Sequence, residues 1–292
     1  MNHLQINKDH HLYYDKSYYS TEEFLILLKK NNIKEAIFSP PCTKYKEPEK
    51  SRFMYALQRK LLSNYIGFKI SKKISNSFYN SDNELRLFWK IFSGNKDLIK
   101  VNYPENEKLY LEIKKFPNLQ MWYWINPIHK NKNFEKNFIE MNKKIYGFKF
   151  HQYWHNFKLS ETFKYSDFIK KLNKPIYLIL GYEILDNIIE FIKYNKNIKI
   201  IFGYGGFPIF QNIWSIINKY DNCYIDVASN HIDSKIIRKI YNDVDKTKII
   251  FSSDCPYNFK NNKNDFDYNL FKKNFKLLKR NEKEKLFSNL IS

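Results

Sequence analysis

Side chains able to move protons or hold charge gather at a few points of this 292-residue chain, each just after a short apolar run. Leu4–Ile6 leads into Asn7-Lys8-Asp9-His10-His11, and Phe148 into Lys149-Phe150-His151, with Trp154 and His155 close behind. Phe202 precedes Gly203-Tyr204-Gly205-Gly206, Ile225 precedes Asp226 with Ser229 beyond it, and Phe251 precedes Ser252-Ser253-Asp254-Cys255-Pro256. Carboxylates and imidazoles exchange protons with water or substrate, and a cation or N–H donor stabilises an oxyanion or enolate. On residue type, Asp254 is the proton-transfer candidate, with Lys149 and His151 as the groups that stabilise developing negative charge. Tyr204, His155 and Trp124 are the substrate-binding candidates, Tyr204 through its phenol. A strand period of two puts Asn7, Asp9 and His11 on one face and turns His10, read as structural, to the other. Cys255 has no matched histidine base and reads as a buried thiol.

The elements that must position these groups follow from the apolar pattern. Ser20, with Glu23 three residues on, forms a capping box that opens a helix whose stripe is Phe24, Leu25, Leu27 and Leu28. Strand-like runs follow at Ile33–Phe38, Leu119–Ile125, Ile145–His151, Pro175–Leu180, Ile198–Phe202, Cys223–Val227 and Lys248–Phe251, making eight with the first. Helical stretches at Tyr165–Leu172, Ile184–Tyr194, Phe210–Tyr220 and Ser234–Tyr241 separate the later ones. Continuous apolar strands alternating with helices indicate parallel β covered on both faces. Eight such units in 292 residues fit an α/β fold of the (β/α)8 TIM-barrel type. No glycine-rich dinucleotide or P-loop signature follows the first strand, which weakens the open-sheet alternatives. Residues 43–118, between strands two and three, exceed a plain βα unit and are expected to form a helical insertion or lid, with helices near Phe53–Ser63 and Glu84–Phe92. The Lys-rich stretch Phe271–Lys285 reads as a closing outer helix. Trp122, Tyr123 and Trp124 read as core and barrel-mouth packing, and one domain spanning 1–292 is expected.

These segments resemble the amidohydrolase-related ("amidohydrolase 2") branch of the metal-dependent hydrolase superfamily, which also holds decarboxylases of aromatic acids. The carrying segments, in order, are INKDHHLYY with STEEFLILLKKNNIKEAIFSP, then WINP, GFKFH, KPIYLILG, NIKIIFGYGGFP, NCYIDVAS, KIIFSSDCP and EKLFSNL. The resemblance implies a divalent metal, usually zinc, held by a His-x-His on strand one, histidines on strands five and six and an Asp on strand eight. Here the first position is Asp9 and the second His11. The strand-five histidine falls on Ile179–Leu180, the strand-six histidine is Tyr204, and Asp254 is retained. The metal set so implied, His11, Asp9 and Asp254, is degenerate, so a zinc-dependent and a metal-free mechanism both stay open.

Composition narrows the remaining classes. The net charge is +20, yet only five of the 50 basic residues are Arg, and the 45 Lys are spread along the chain among Asp and Glu. Arg is the usual reader of base edges, so specific nucleic-acid binding ranks last, and an AT-rich coding bias accounts for the charge. Three cysteines without CxxC spacing, no apolar leader and no membrane-length run point to a cytoplasmic protein. The expected partner is a small-molecule substrate, with no membrane and with a homo-oligomer open. The reading is a hydrolase acting on a small acidic carbonyl, amide or lactone, with decarboxylation as the neighbouring chemistry. The alternative is a barrel that has lost catalysis and kept a small-molecule or regulatory site.

Overall fold

Strands of this chain are apolar on both sides because both sides are covered. In β2 (Glu35–Ser39), Ala36 and Phe38 pack outward under helices while Ile37 points inward. In β5 (Ile176–Ile179), Ile176 and Leu178 face out while Tyr177 and Ile179 face in. The remaining strands are β1 (Lys8–Tyr13), β3 (Leu119–Trp124), β4 (Ile145–His151), β6 (Ile200–Phe202), β7 (Cys223–Asp226) and β8 (Ile249–Ile250). They lie in sequential order, and every neighbouring pair is parallel. The two edges come together through backbone bonds from His10 N to Phe251 O (3.3 Å), Asp254 N to His11 O (3.0 Å) and Tyr13 N to Cys255 O (2.7 Å). The result is the expected TIM barrel, with a small inner core of Ile37, Trp122, Tyr177, Ile179, Ile201 and Ile250. In the computed structural model the described residues are 8–16, 18–40, 60–62, 65–76, 104–129, 134–227 and 232–256.

Helix α1 (Thr21–Lys30) starts at the capping box, with Glu23 N donating to Ser20 Oγ (3.2 Å) and Ser20 N donating to Glu23 Oε2 (2.7 Å). Such a cap is worth about 1 kcal/mol and fixes where the first βα turn ends. Within 43–118 the described residues include helices α2 (Tyr65–Asn76) and α3 (Asn106–Ile113), and 60–62, inside the expected Phe53–Ser63 helix, are helical too. The expected helices at Phe53–Ser63 (apart from 60–62, of which Leu62 is buried) and Glu84–Phe92, and that at Phe271–Lys285, lie outside the described residues, as does Leu4–Ile6. Helix α3 buries Leu109 and Ile113 completely, and its Asn106 side chain donates to Trp124 O (2.9 Å) and accepts from Trp124 N (2.8 Å). Past β4 come the one-turn α4 (Gln152–His155) and α5 (Phe163–Lys171). They are followed by α6 (Leu185–Tyr194), α7 (Gln211–Lys219) and α8 (Ser234–Asp243), near the positions expected from periodicity.

The first strand departs from expectation in a way that matters for the site. It runs through the polar cluster itself, and its register with β2 slips: Asp9 pairs with Ala36, but Leu12 pairs with Phe38. Two residues, His10 and His11, therefore stand against the single Ile37, which is a β-bulge. Strict alternation fails there, so both rings meet aromatic rings of the barrel interior. His10 lies 6.0 Å from the Tyr146 ring in edge contact, and His11 stacks on Tyr177 at 4.5 Å with planes 7° apart. Asp9 shares the outward register of Ala36, so it does not share a face with His11.

Candidate active site

Lys149, near the end of β4, is 0% exposed and reaches across the barrel. Its Nζ lies 2.8 Å from His11 Nε2, 2.9 Å from Tyr13 Oη and 3.1 Å from Ser39 Oγ. Three acceptors suit the three N–H bonds of an ammonium. The charge also sits 4.1 Å from the Tyr13 ring and 4.3 Å from the Trp124 ring, close enough for cation–π attraction. Since His11 Nε2 accepts from Lys149, the ring proton belongs on Nδ1, which lies 3.4 Å from Asp254 Oδ1. That contact is too poorly aligned for a hydrogen bond, though near enough for Coulomb attraction. Burial first, then the neighbouring Lys149 and His151, hold His11 well below the ordinary imidazole range, so a neutral ring faces the carboxylate.

A second path joins the same two ends. Tyr13 Oη accepts from Lys149 and so donates to Tyr204 Oη at 2.9 Å, and Tyr204 Oη donates to Asp254 Oδ1 at 3.2 Å. Lys149, His11, Asp254, Tyr204 and Tyr13 thus form a closed ring of contacts at the C-terminal mouth. Burial and then the Asp254 charge push the Tyr204 phenol well above its usual range, which keeps it a proton donor. The loop after β6 holds Tyr204 in place: its N donates to Asp226 Oδ1 (2.6 Å), and the other Asp226 oxygen accepts from Tyr177 Oη. Tyr204 and Asp254 both sit at φ 59°, a left-handed conformation that non-glycine residues adopt at a cost of about 1–3 kcal/mol. Gly206, at φ 79°, is required there, because a Cβ would press on Ile213.

Beside the ring, His151 stacks on Trp124 at 5.6 Å with planes 16° apart, and His155 lies 5.5 Å from the same indole. Burial first and Lys149 second lower His151 well below its usual value; burial, then His129 and Lys149, lower His155 to about 3. Of the residues singled out from sequence, His11, Lys149, Tyr204 and Asp254 come together directly, and His151, Trp124 and His155 flank them. Asp9 stands apart: its Oδ1 accepts from His11 N (3.3 Å) and Ser253 N (3.0 Å), tying β1 to the loop after β8 that carries Asp254. Cys255 is fully buried, and burial raises its thiol well above the usual range. Sequence reasoning missed Tyr13, Ser39, Tyr177 and Asn106. Tyr13 and Ser39 end the first two strands, which was the available signal; the Asn106 clamp carried none.

The metal set implied by resemblance does not fit this arrangement. His11 Nε2, the ring nitrogen turned into the barrel, is occupied by Lys149, and Asp9 is committed to backbone N–H groups. Among the described residues no three His, Cys, Asp or Glu side chains are grouped so as to hold a metal ion.

No protein-family model matches the chain, and no curated protein matches it. Solved structures do share the fold. A probable 2-pyrone-4,6-dicarboxylic acid hydrolase from Acinetobacter baumannii, with citric acid bound, matches at 12% identity and TM-score 0.57, over 97% of this chain and 96% of its own. An uncharacterised TIM-barrel protein from Bordetella bronchiseptica matches at 10% identity and TM-score 0.57, over 92% and 80%. A dihydroxybenzoic acid decarboxylase from Polaromonas, with manganese and 2-nitroresorcinol bound, matches at 10% identity and TM-score 0.52, over 99% and 100%. At these identities the likeness establishes the barrel fold, which hydrolases and decarboxylases share. No helix among the described residues is long and apolar enough to cross a membrane.

Proposed function

We propose that the chain is an amidohydrolase-like enzyme acting on a small acidic carbonyl, amide or lactone, with decarboxylation as the neighbouring chemistry. The observation that carries this reading is the position of Asp254, 7% exposed in the loop after the last strand and linked to Lys149 through both His11 and Tyr204. In hydrolysis, Asp254 takes a proton from water as the oxygen attacks the carbonyl carbon, then returns it to the leaving group. Lys149 supplies the positive charge that favours the tetrahedral oxyanion. In decarboxylation, a protonated Asp254 delivers its proton to the carbon from which CO2 departs. No step is routed through a metal, because among the described residues no side chains group as a ligand set. Hydrolases and a decarboxylase of dicarboxylic or aromatic acids on the same fold agree with this substrate class.

The test is turnover of lactones, amides and aromatic carboxylates by wild type and Asp254→Asn, with folding checked by circular dichroism. Asp254→Asn is expected to lose about 10²- to 10⁴-fold while staying folded. Unchanged turnover removes Asp254 from the chemistry. A folded wild type inert across the whole set favours the second reading, a barrel that binds a small molecule without converting it. The lack of a metal-ligand group among the described residues is the feature in that reading's favour.

A further inference from the structure

Among the described residues, two buried N–H groups beside the ring have no hydrogen-bond partner. His151 Nδ1 accepts from Trp154 N at 3.2 Å, so the ring proton is on Nε2, and Nε2 is buried without a partner. Trp124 Nε1, a donor only, is also buried without a partner. Most buried donors in folded proteins are satisfied; of the eight buried side-chain polar atoms without a hydrogen-bond partner among the described residues, these two lie on rings stacked on one another. Neither ring is there by slack packing. Asn106 pins the Trp124 backbone through two hydrogen bonds, and the 16° stacking angle fixes the His151 plane against the indole.

We propose that Trp124 Nε1–H and His151 Nε2–H are the carboxylate-recognition subsite of this barrel. Both groups only donate, so the ligand must only accept. A planar carboxylate offers two oxygens to two donors on nearly parallel rings. The ligand carries negative charge because the Lys149 cation lies 4.3 Å from the Trp124 ring. The subsite also adjoins the reacting end: the His151 ring is 6.3 Å from that of Tyr204, whose hydroxyl donates to Asp254. A substrate carboxylate held here brings the rest of the molecule towards Asp254. The depressed basicity of His151 leaves it a neutral donor, so recognition does not require its protonation. This inference rests on the proposed function for the meaning of the site, though its binding step stands without it.

The experiment is calorimetric titration of the full chain with benzoate, benzamide and inorganic phosphate. Wild type is expected to bind benzoate at least about tenfold tighter than benzamide, the scale of a hydrogen bond to a charged group. Trp124→Phe keeps the ring and removes the N–H; it is expected to weaken benzoate by about 10- to 100-fold and leave benzamide little changed. His151→Phe does the same, and His151→Gln, which restores an N–H, recovers part of the loss. If His151→Phe fails to fold, Trp124→Phe decides alone. Wild type that ignores benzoate, binds phosphate in preference, or loses nothing in Trp124→Phe overturns the proposal. Asp254→Asn separates the two readings: it is expected to keep benzoate binding while losing turnover. Kept turnover sinks the catalytic reading and leaves the subsite standing.

Discussion

Lys149 donates to His11, Tyr13 and Ser39 from the centre of the barrel mouth. Replacing it with Met leaves those three acceptors short of a donor at a cost of about 1–3 kcal/mol. Lys149→Met is therefore expected to fold, with a modestly lower urea midpoint, and to lose about 10²- to 10³-fold in turnover. A variant that unfolds entirely, or one as active as wild type, contradicts this role. The buried histidines make a separate prediction about pH. His10 and His155 fall to about 3 in the folded chain, mainly through burial, against about 6.5 when unfolded. Above pH 6.5 both states are neutral and nothing changes. Below it the unfolded chain takes up protons that the folded chain refuses, so stability falls as pH drops from 6.5 towards 3. The slope is about 1.4 kcal/mol per pH unit for each histidine. Urea unfolding at pH 7 and pH 5 checks this, and His155→Gln is expected to flatten the slope. Equal stability at both values contradicts it.

At the scale of the element, the first strand governs the site, and the bulge governs the strand. Asp9 accepts from the N–H of His11 and of Ser253, so it fixes both the bulge and the approach of the chain to Asp254. Asp9→Ala orphans two buried donors and is expected to cost about 2–4 kcal/mol in stability, with a loss of turnover from displacement of Asp254. Asp9→Asn, which keeps an acceptor oxygen, is expected to recover most of the stability. If Asp9→Ala matches wild type in thermal midpoint, Asp9 does not hold the bulge. The strands and the later helices were legible in the sequence because their apolar runs are long relative to the turns between them. So were Asp254, Lys149, His151 and Tyr204, as polar residues placed after such runs. The bulge was not, because nothing in Asp9-His10-His11 marks where alternation breaks, and His10 was assigned to the wrong face as a result. Tyr13 and Tyr177 were hidden by composition: in a chain with 23 tyrosines, one more at a strand end carries little signal. Gly147 shows the opposite case, since its need for close approach is met by Pro175 and Trp122 of the protein itself and not by a ligand.

Across the whole molecule, a barrel collects side chains from distant parts of the chain at one mouth, here from β1, β2, β4 and the loops after β6 and β8. The +20 charge says little about that mouth, because the interior ring depends on one lysine while most lysines are spread along the chain. Fold likeness to solved structures establishes the barrel alone, so the residues at the mouth must specify the chemistry. The central claim is that Lys149 and Asp254 act as one unit through His11 and Tyr204. Groups that act as a unit give non-additive losses when removed together. The most direct test is the turnover of Lys149→Met, Asp254→Asn and the double variant on one substrate that wild type converts. The expected result is a large loss in each single variant and a double variant no worse than the weaker of the two. Losses that multiply in the double variant would show two independent groups and contradict the claim.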